Sequence, residues 1–364
     1  DVGHTGQVSL LGTAAMPYFD QDGVHEIYRG WRRILDEYSP SAGPESVTGP
    51  ATGPGSLPGD RIAVAEAWTP TIERAARYLR PDELHQAFNF EYLTTPWDAA
   101  ALREVIDRSL AAMGAVGAPA TWVLSNHDVT RHATRFGNPP GAGVQLREAG
   151  DRELGLRRAR AATLLMLALP GSAYLYQGEE LGLPDVTDLP DEVRQDPSFF
   201  RASGQDGFRD GCRVPIPWSG AEAPYGFGPV PGGPSWLPQP KTWAELSVEA
   251  QTGDPDSTLE LYRSALALRR EHPALGAGTA LTWLDTPAGV LAFHRTEADD
   301  AAARTRLTGA GFVCTVNLTA APVTLAAPGR PLLSSEAETV RTADTGGAGG
   351  QVTVPADTTV WWAV

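Results

Sequence analysis

Apolar positions along the chain fall into two rhythms, and they change near residue 278. Over residues 24–38, "VHEIYRGWRRILDEY", Val24, Ile27, Trp31, Ile34 and Leu35 recur at helical spacing and predict an amphipathic helix. Four short apolar runs follow: "RIAVAE" (61–66), "HQAFNF" (85–90), "TWVLS" (121–125) and "SAYLY" (172–176). Each precedes a helical pattern, at about 70–80, 98–113, 152–169 and 257–272. Strands alternating with helices imply a parallel sheet. Beyond 278, "TWLDT", "VLAFHRT", "FVCTVNL", "VTLAA" and "TVWWAV" are β-type runs separated by turns, which predicts a small antiparallel β-sandwich. The expected division is therefore 1–277 and 278–364.

Two stretches break the alternation. Residues 39–60, "SPSAGPESVTGPATGPGSLPGD", carry few large apolar residues and much Gly and Pro, and read as a surface insertion. Residues 177–256, rich in Pro, Gly and Trp, are too long for a plain connection and read as a lid or substrate wall.

Composition narrows the function classes. The 364 residues have a formal net charge of −15, which disfavours a phosphate backbone or an anionic membrane as partner. No apolar run approaches the roughly 20 residues of a membrane helix. Two cysteines, Cys212 and Cys314, form neither a disulfide framework nor a ligand set, and point mildly to a reducing cytoplasm. The seven histidines include no zinc-type i, i+4 pair around an acid, so neither metal nor cofactor is expected. There is no G-x-S-x-G elbow for a serine hydrolase.

In parallel α/β folds, ligands gather beyond the carboxyl ends of the strands. Those ends carry Glu66 and Trp68; Asn89 and Glu91; Asn126, His127 and Asp128; and Gln177, Glu179 and Glu180. Each has an ordinary alternative. A lone Glu after a strand serves as a cap or loop acid, a His–Asp pair as a satisfied hydrogen bond, and a Trp as packing. Glu179 and Glu180 read most simply as cap or surface acids.

Taken together, "AVAEAW" (63–68), "WVLSNHDVTRHATRFG" (122–137) and "GSAYLYQGEELG" (171–182) resemble, in order, the strand ends of the α-amylase superfamily, glycoside hydrolase family 13. They are most similar to its α-glucosidase and oligo-glucosidase branch. "RDGCRVPIPW" (209–218) is similar to that branch's Arg-Asp-x-x-Arg-x-Pro-x-x-Trp loop after the eighth strand, and the resemblance extends over essentially the whole chain. It implies a (β/α)8 TIM barrel of which this α/β chain holds the C-terminal half, strands five to eight, ahead of the β-sandwich domain. It also implies a retaining mechanism on small α-linked oligosaccharides. Glu66 then matches the general acid/base, Asp128 the carboxylate that grips sugar hydroxyls, His127 a neighbouring sugar-binding histidine and Arg213 a substrate-contacting arginine. Trp68 is the aromatic beside the acid. The apolar strand ahead of Glu66 and its neighbour Trp68 predict the water-poor setting that keeps a general acid protonated.

In that family the nucleophilic Asp ends the fourth strand. "DVGH" (1–4) resembles the Asp-Val-Ala-His that often carries it. Asp1, however, has no strand before it and no Arg two residues earlier, so the nucleophile is expected upstream of this sequence. The same motifs also serve transglycosylation and isomerisation, and a non-catalytic relative could keep the fold. Oligomeric state is not legible.

Overall fold

The computed structural model describes residues 20–39, 61–204, 207–228, 230, 232–276, 281–296, 311–336 and 350–364. The stretch 1–4 and all of the Gly/Pro insertion except Ser39 lie outside these residues. The chain divides into two units: Asp1–Glu91 with Asp107–Thr121, and Tyr92–Ile106 with Trp122–Val364.

In the first unit, helix α1 (Val24–Glu37) precedes strand β1 (Val64–Ala65), helix α2 (Ile72–Arg77) and strand β2 (Gln86–Ala87). β1 and β2 pair in parallel, Val64 opposite Gln86 and Ala65 opposite Ala87. The expected run 85–90 is strand only over its first residues. Buried Asn89 donates to Ser109 Oγ at 2.8 Å, and helix α3 (Phe90–Thr94) has already begun. Helix α4 (Ala99–Gly114) and strand β3 (Thr121–Val123) run through the division between the units.

α1 forms where its periodicity predicts, but its apolar stripe is not its packed face. Ile27, Trp31 and Ile34 are each more than half exposed. The helix is anchored instead through its polar side. Buried His25 lies 2.6 Å from Glu83 and against the Tyr78 ring, and Arg29 and Arg32 reach the same Glu83. A buried carboxylate is tolerable only when cations and donors meet it, and Glu83 receives several. The hydrophobic period thus located the helix without identifying which face the unit covers.

In the second unit, short α5 (His132–Arg135) leads to α6 (Arg152–Ala168), which Asp151 caps by accepting from Leu154 N at 3.0 Å. Strand β4 (Ser172–Tyr174) pairs with β3, and Trp122 of β3 is fully buried, its indole donating to Pro170 O at 2.7 Å. The expected wall 177–256 contains α7 (Pro197–Arg201) and α8 (Val248–Gln251) and builds a core of its own around Trp243, from Leu181, Val186, Val214, Ile216 and Leu237. Then come α9 (Thr258–Glu271) and α10 (Pro273–Gly276).

The C-terminal part is antiparallel, as its short β-type runs separated by turns predict. Strands β5 (Thr282–Trp283), β6 (Val290–Arg295), β7 (Phe312–Asn317), β8 (Val323–Ala326), β9 (Arg330–Ser334), β10 (Gln351–Val354) and β11 (Thr358–Ala363) form two sheets. One has the order β5-β6-β7-β11-β9 and the other pairs β10 with β8; between them Val313, Val352, Val354, Val360 and Trp362 are buried.

This β region is fastened to α6. Thr359 Oγ1 donates to Ala161 O at 2.8 Å and Trp361 Nε1 to Leu164 O at 3.1 Å. On another side, Thr163 of α6 meets Tyr262 of α9 at 2.8 Å. The second half of α6 is consequently buried all round, from Ala161 through Ala168, which explains its continuous apolar composition. Buried Asp357 completes the fastening: its Oδ1 accepts from Trp97 Nε1 at 2.7 Å and Arg158 Nε at 2.9 Å.

Asp357 also sits at φ 49°, where Asn is tolerated and Ala is not. Asp357→Ala strands the Arg158 charge and forces a left-handed alanine, so it is expected to cost roughly 3 kcal/mol. Asp357→Asn keeps an acceptor and the backbone preference and is expected to cost less. Urea unfolding midpoints of the two variants check the order.

Candidate active site

Glu66 and Trp68 follow β1 in the first unit. The Trp68 ring stacks on Phe90 with centroids 3.8 Å apart and planes at 9°, so the indole is fixed as a flat surface. Glu66 itself is exposed. The apolar enclosure that its sequence neighbours predict is therefore not supplied by the described residues. The strand's small side chains and the pairing of Trp68 with Phe90 explain why: the indole is engaged with another ring.

In the second unit the structure brings His127, Asp128 and Arg213 together. Past β3 the chain turns tightly, with Asp128 N donating to Asn126 Oδ1 at 2.8 Å, an Asx turn that fixes the backbone under the carboxylate. Arg213 closes on this turn from the 3₁₀ segment Phe208–Arg213. Its Nη2 donates to Asp128 Oδ1 at 2.8 Å and its Nε to His127 O at 2.7 Å. His127 Nε2 stands 3.5 Å from Asp128 Oδ2, on a side chain that is more than half exposed. The site is thus a partly exposed carboxylate held against cations, with an imidazole near its other oxygen.

Residues outside the sequence-level candidates hold this arrangement. Arg209 donates to Asp128 Oδ1 at 3.1 Å and grips Asp196 with two contacts of 2.6 Å. Burial opposes the Asp196 charge, yet the Arg209 guanidinium and the Ser198 backbone N–H hold its carboxyl below the usual range. Arg131, fully buried three residues after Asp128, donates to Gln177 O at 2.7 Å and Cys212 O at 2.8 Å. It thereby joins the end of β4 to the segment that carries Arg213. Arg131 N donates to Asp185 Oδ2, and burial lifts that carboxyl to about 6. Gly211 lies against Asp185 and Val186 so closely that a Cβ would come within 2.0 Å of Asp185 Oδ1. The position of this segment therefore depends on a glycine.

Glu179, expected at the surface or as a cap, is buried. It accepts from Tyr262 OH at 3.4 Å, with His132 Nδ1 3.9 Å away. This is no ion pair near neutral pH, because burial raises the carboxyl to about 8 and pulls the imidazole down to about 3. Ser125 Oγ, 2.7 Å from Nδ1, is the partner of His132. Glu180 instead behaves as a local cap, its Oε2 accepting from Gly178 N at 2.7 Å. The sequence signal for Arg209 was present in the "RDGCR" stretch; that for Asp196 and Glu179 was not. Among the described residues no group of three or more His, Cys, Asp or Glu is placed to hold a metal ion, and no helix is long and apolar enough to cross a membrane.

Residues 12–278 match the family described as "Alpha amylase, catalytic domain". The chain belongs to the alpha-amylase family. It is 31% identical over 223 residues to a probable alpha-glucosidase of Rhizobium meliloti, an alignment covering 60% of this chain and 36% of that protein. It is 25% identical to the oligo-1,6-glucosidase of Parageobacillus thermoglucosidasius, over 60% of this chain and 42% of that one. Among solved structures, an alpha-glucosyl transfer enzyme, XgtA, matches with TM-score 0.69 and 28% identity, over 94% of this chain and 54% of its own. The trehalulose synthase MutB of Pseudomonas mesoacidophila MX-45 matches with TM-score 0.69 at 20% identity, over 94% and 59%, a likeness of fold. The chain thus spans well under two thirds of the length of these relatives. The fold corresponds to part of the alpha-amylase catalytic domain, followed by a C-terminal antiparallel β region.

The raised Glu179 carboxyl makes stability pH-dependent. The folded state keeps a proton that the unfolded chain releases near pH 4.5, so the contribution of Glu179 to stability is greatest below that pH. It declines as pH rises toward about 8. Glu179→Gln, neutral and nearly isosteric, is expected to flatten this decline and to stabilise the protein at pH 8 by about 2 kcal/mol. Denaturant melts at pH 5, 6.5 and 8 measure both effects; an unchanged pH slope would show that Glu179 is ionised in the fold.

Proposed function

We propose that this chain carries the sugar-gripping and proton-transferring part of a retaining α-glucosidase. Its substrate would be the terminal α-linked glucose of maltose-like oligosaccharides. The observation that carries the reading is the Asp128 site: a carboxylate at the end of a strand, with His127 beside it and Arg213 returning from the loop where the family resemblance puts a substrate-contacting arginine.

In a retaining glycosidase one carboxylic acid protonates the leaving oxygen while a carboxylate roughly 5–5.5 Å away attacks the anomeric carbon. In this reading Glu66 is the acid/base. Since it is exposed without ligand, the sugar itself would complete its desolvation, and the Trp68–Phe90 surface offers an apolar face for a sugar ring. Asp128 and His127 would take the ring hydroxyls. Their hydrogen bonds, above all to the 2-hydroxyl, strengthen as the anomeric centre becomes cationic, so they favour the transition state over the ground state. Arg213 would orient Asp128 and the bound sugar. No described residue is assigned as nucleophile. The two buried free thiols suit a reducing compartment, in keeping with a cytoplasmic enzyme.

The test is hydrolysis of maltose by the full-length protein. Glu66→Gln and Asp128→Asn are each expected to lower turnover by roughly 100-fold or more. Either variant keeping a tenth of the parent rate would remove that residue from the mechanism. A transferring activity is the second reading, favoured by the likeness to the alpha-glucosyl transfer enzyme at 28% identity. Product analysis at high maltose separates the two: glucose alone means hydrolysis, and longer oligosaccharides mean transfer.

A further inference from the structure

The two oxygens of Asp128 are not equivalent. Oδ1 receives both guanidinium groups, Arg213 Nη2 at 2.8 Å and Arg209 Nη1 at 3.1 Å. Oδ2 has neither and lies 3.5 Å from His127 Nε2. The terminal torsion of an aspartate is soft, so an isolated Asp would present either oxygen over a wide arc. Two cations converging on one oxygen suppress that rotation and leave the other available in a fixed direction.

One of those cations is itself clamped from behind. Arg209 Nε and Nη2 meet Asp196 Oδ2 and Oδ1, both at 2.6 Å, the fork geometry that fixes a guanidinium plane. The Asp196 side chain is fully buried. Its Oδ1 also accepts from Ser198 N at 2.9 Å at the head of α7, and its own N–H donates to Asp210 Oδ2 at 3.0 Å. Asp210 adjoins Arg209 in sequence, and its carboxylate also receives Gln195 N at 2.8 Å. The backbone at 195–196 is thus tied to the segment that Asp196 grips through its side chain. Among the described residues the ring of contacts closes on itself and reaches Asp128 through Arg209 Nη1.

We infer that Asp196 and Arg209 are positioning residues for Asp128: Asp196 fixes the Arg209 guanidinium, and Arg209, with Arg213, turns the Asp128 carboxylate so that Oδ2 is the oxygen presented to the sugar. This rests on the function proposed above and adds to it two residues that act through Asp128. Arg209→Lys retains a charge but loses the fork, because an ammonium cannot engage both Asp196 oxygens and Asp128 in one plane. Asp196→Asn retains the shape and loses the charge that holds the fork.

The experiment compares kcat/KM of the full-length protein on 4-nitrophenyl α-glucoside and on its 2-deoxy counterpart, for the parent, Arg209→Lys, Asp196→Asn and the double variant. Misdirecting Asp128 should cost roughly 10- to 100-fold on the glucoside. It should cost less than about threefold on the 2-deoxy substrate, which lacks the hydroxyl whose bond strengthens in the transition state. Because both substrates are read on one preparation, partial unfolding affects them equally and cancels in the ratio. Asp196 acts only through Arg209, so the double variant should be no worse than Arg209→Lys alone. Equal losses on both substrates, or additive losses in the double variant, overturn the positioning role and leave the glucosidase reading standing. A parent inert toward every α-glucoside, with Asp128→Asn changing nothing, overturns that reading and the inference with it.

Discussion

The second unit depends most on one carboxylate met by two guanidinium groups. Asp128 lies in the turn past β3, and Arg209 and Arg213 come from a 3₁₀ segment more than eighty residues later in the chain, yet both donate to the same oxygen. Such a pair works only if the segment is held to a fraction of an ångström. The surroundings supply this: Arg131 bonds to backbone on both sides, Gly211 permits close approach to Asp185, and Asp196 and Asp210 lock the turn from behind. Charge here is not chiefly a source of stability. Half-exposed ion pairs contribute little in water, whereas directionality survives screening.

A second buried polar group works by the opposite device. Around Glu179 burial outweighs the attraction of the Arg131 charge, and the carboxyl keeps its proton. Ser125 bonds His132, and Thr163, Tyr262 and Glu179 form a second hydrogen-bonded group beside that pair, linking α6 and α9. The two networks flank the residues that end β3, one cationic and directional, the other uncharged and space-filling.

Much of this was legible in the sequence, and the limits have physical causes. The strand ends, the "SNHD" and "RDGCR" stretches and the change of rhythm near 278 are local signals, and they located Asp128, His127, Arg213 and the antiparallel region. Asp196 escaped because nothing near it in sequence marks it; its role exists only once the long segment folds back on Arg209. Glu179 was expected at the surface or as a cap, but it is buried and its partner Tyr262 lies on α9, far along the chain. The stripe of α1 predicted an amphipathic helix and the helix forms, but periodicity reports amphipathicity, not which face meets a neighbour. The described residues do not enclose Glu66, since adjacency to Trp68 in sequence says nothing about where the indole turns, and it turns to Phe90.

The all-round burial of α6 bears on how such a protein can change over time. A helix whose surface is shared between β11 on one side and α9 on another cannot easily be inherited without either. The C-terminal sheets, though antiparallel and self-contained in their pairing, are therefore not a module to be shuffled or grafted elsewhere. Substitutions in β11 and in α6 should be constrained to drift as a matched set.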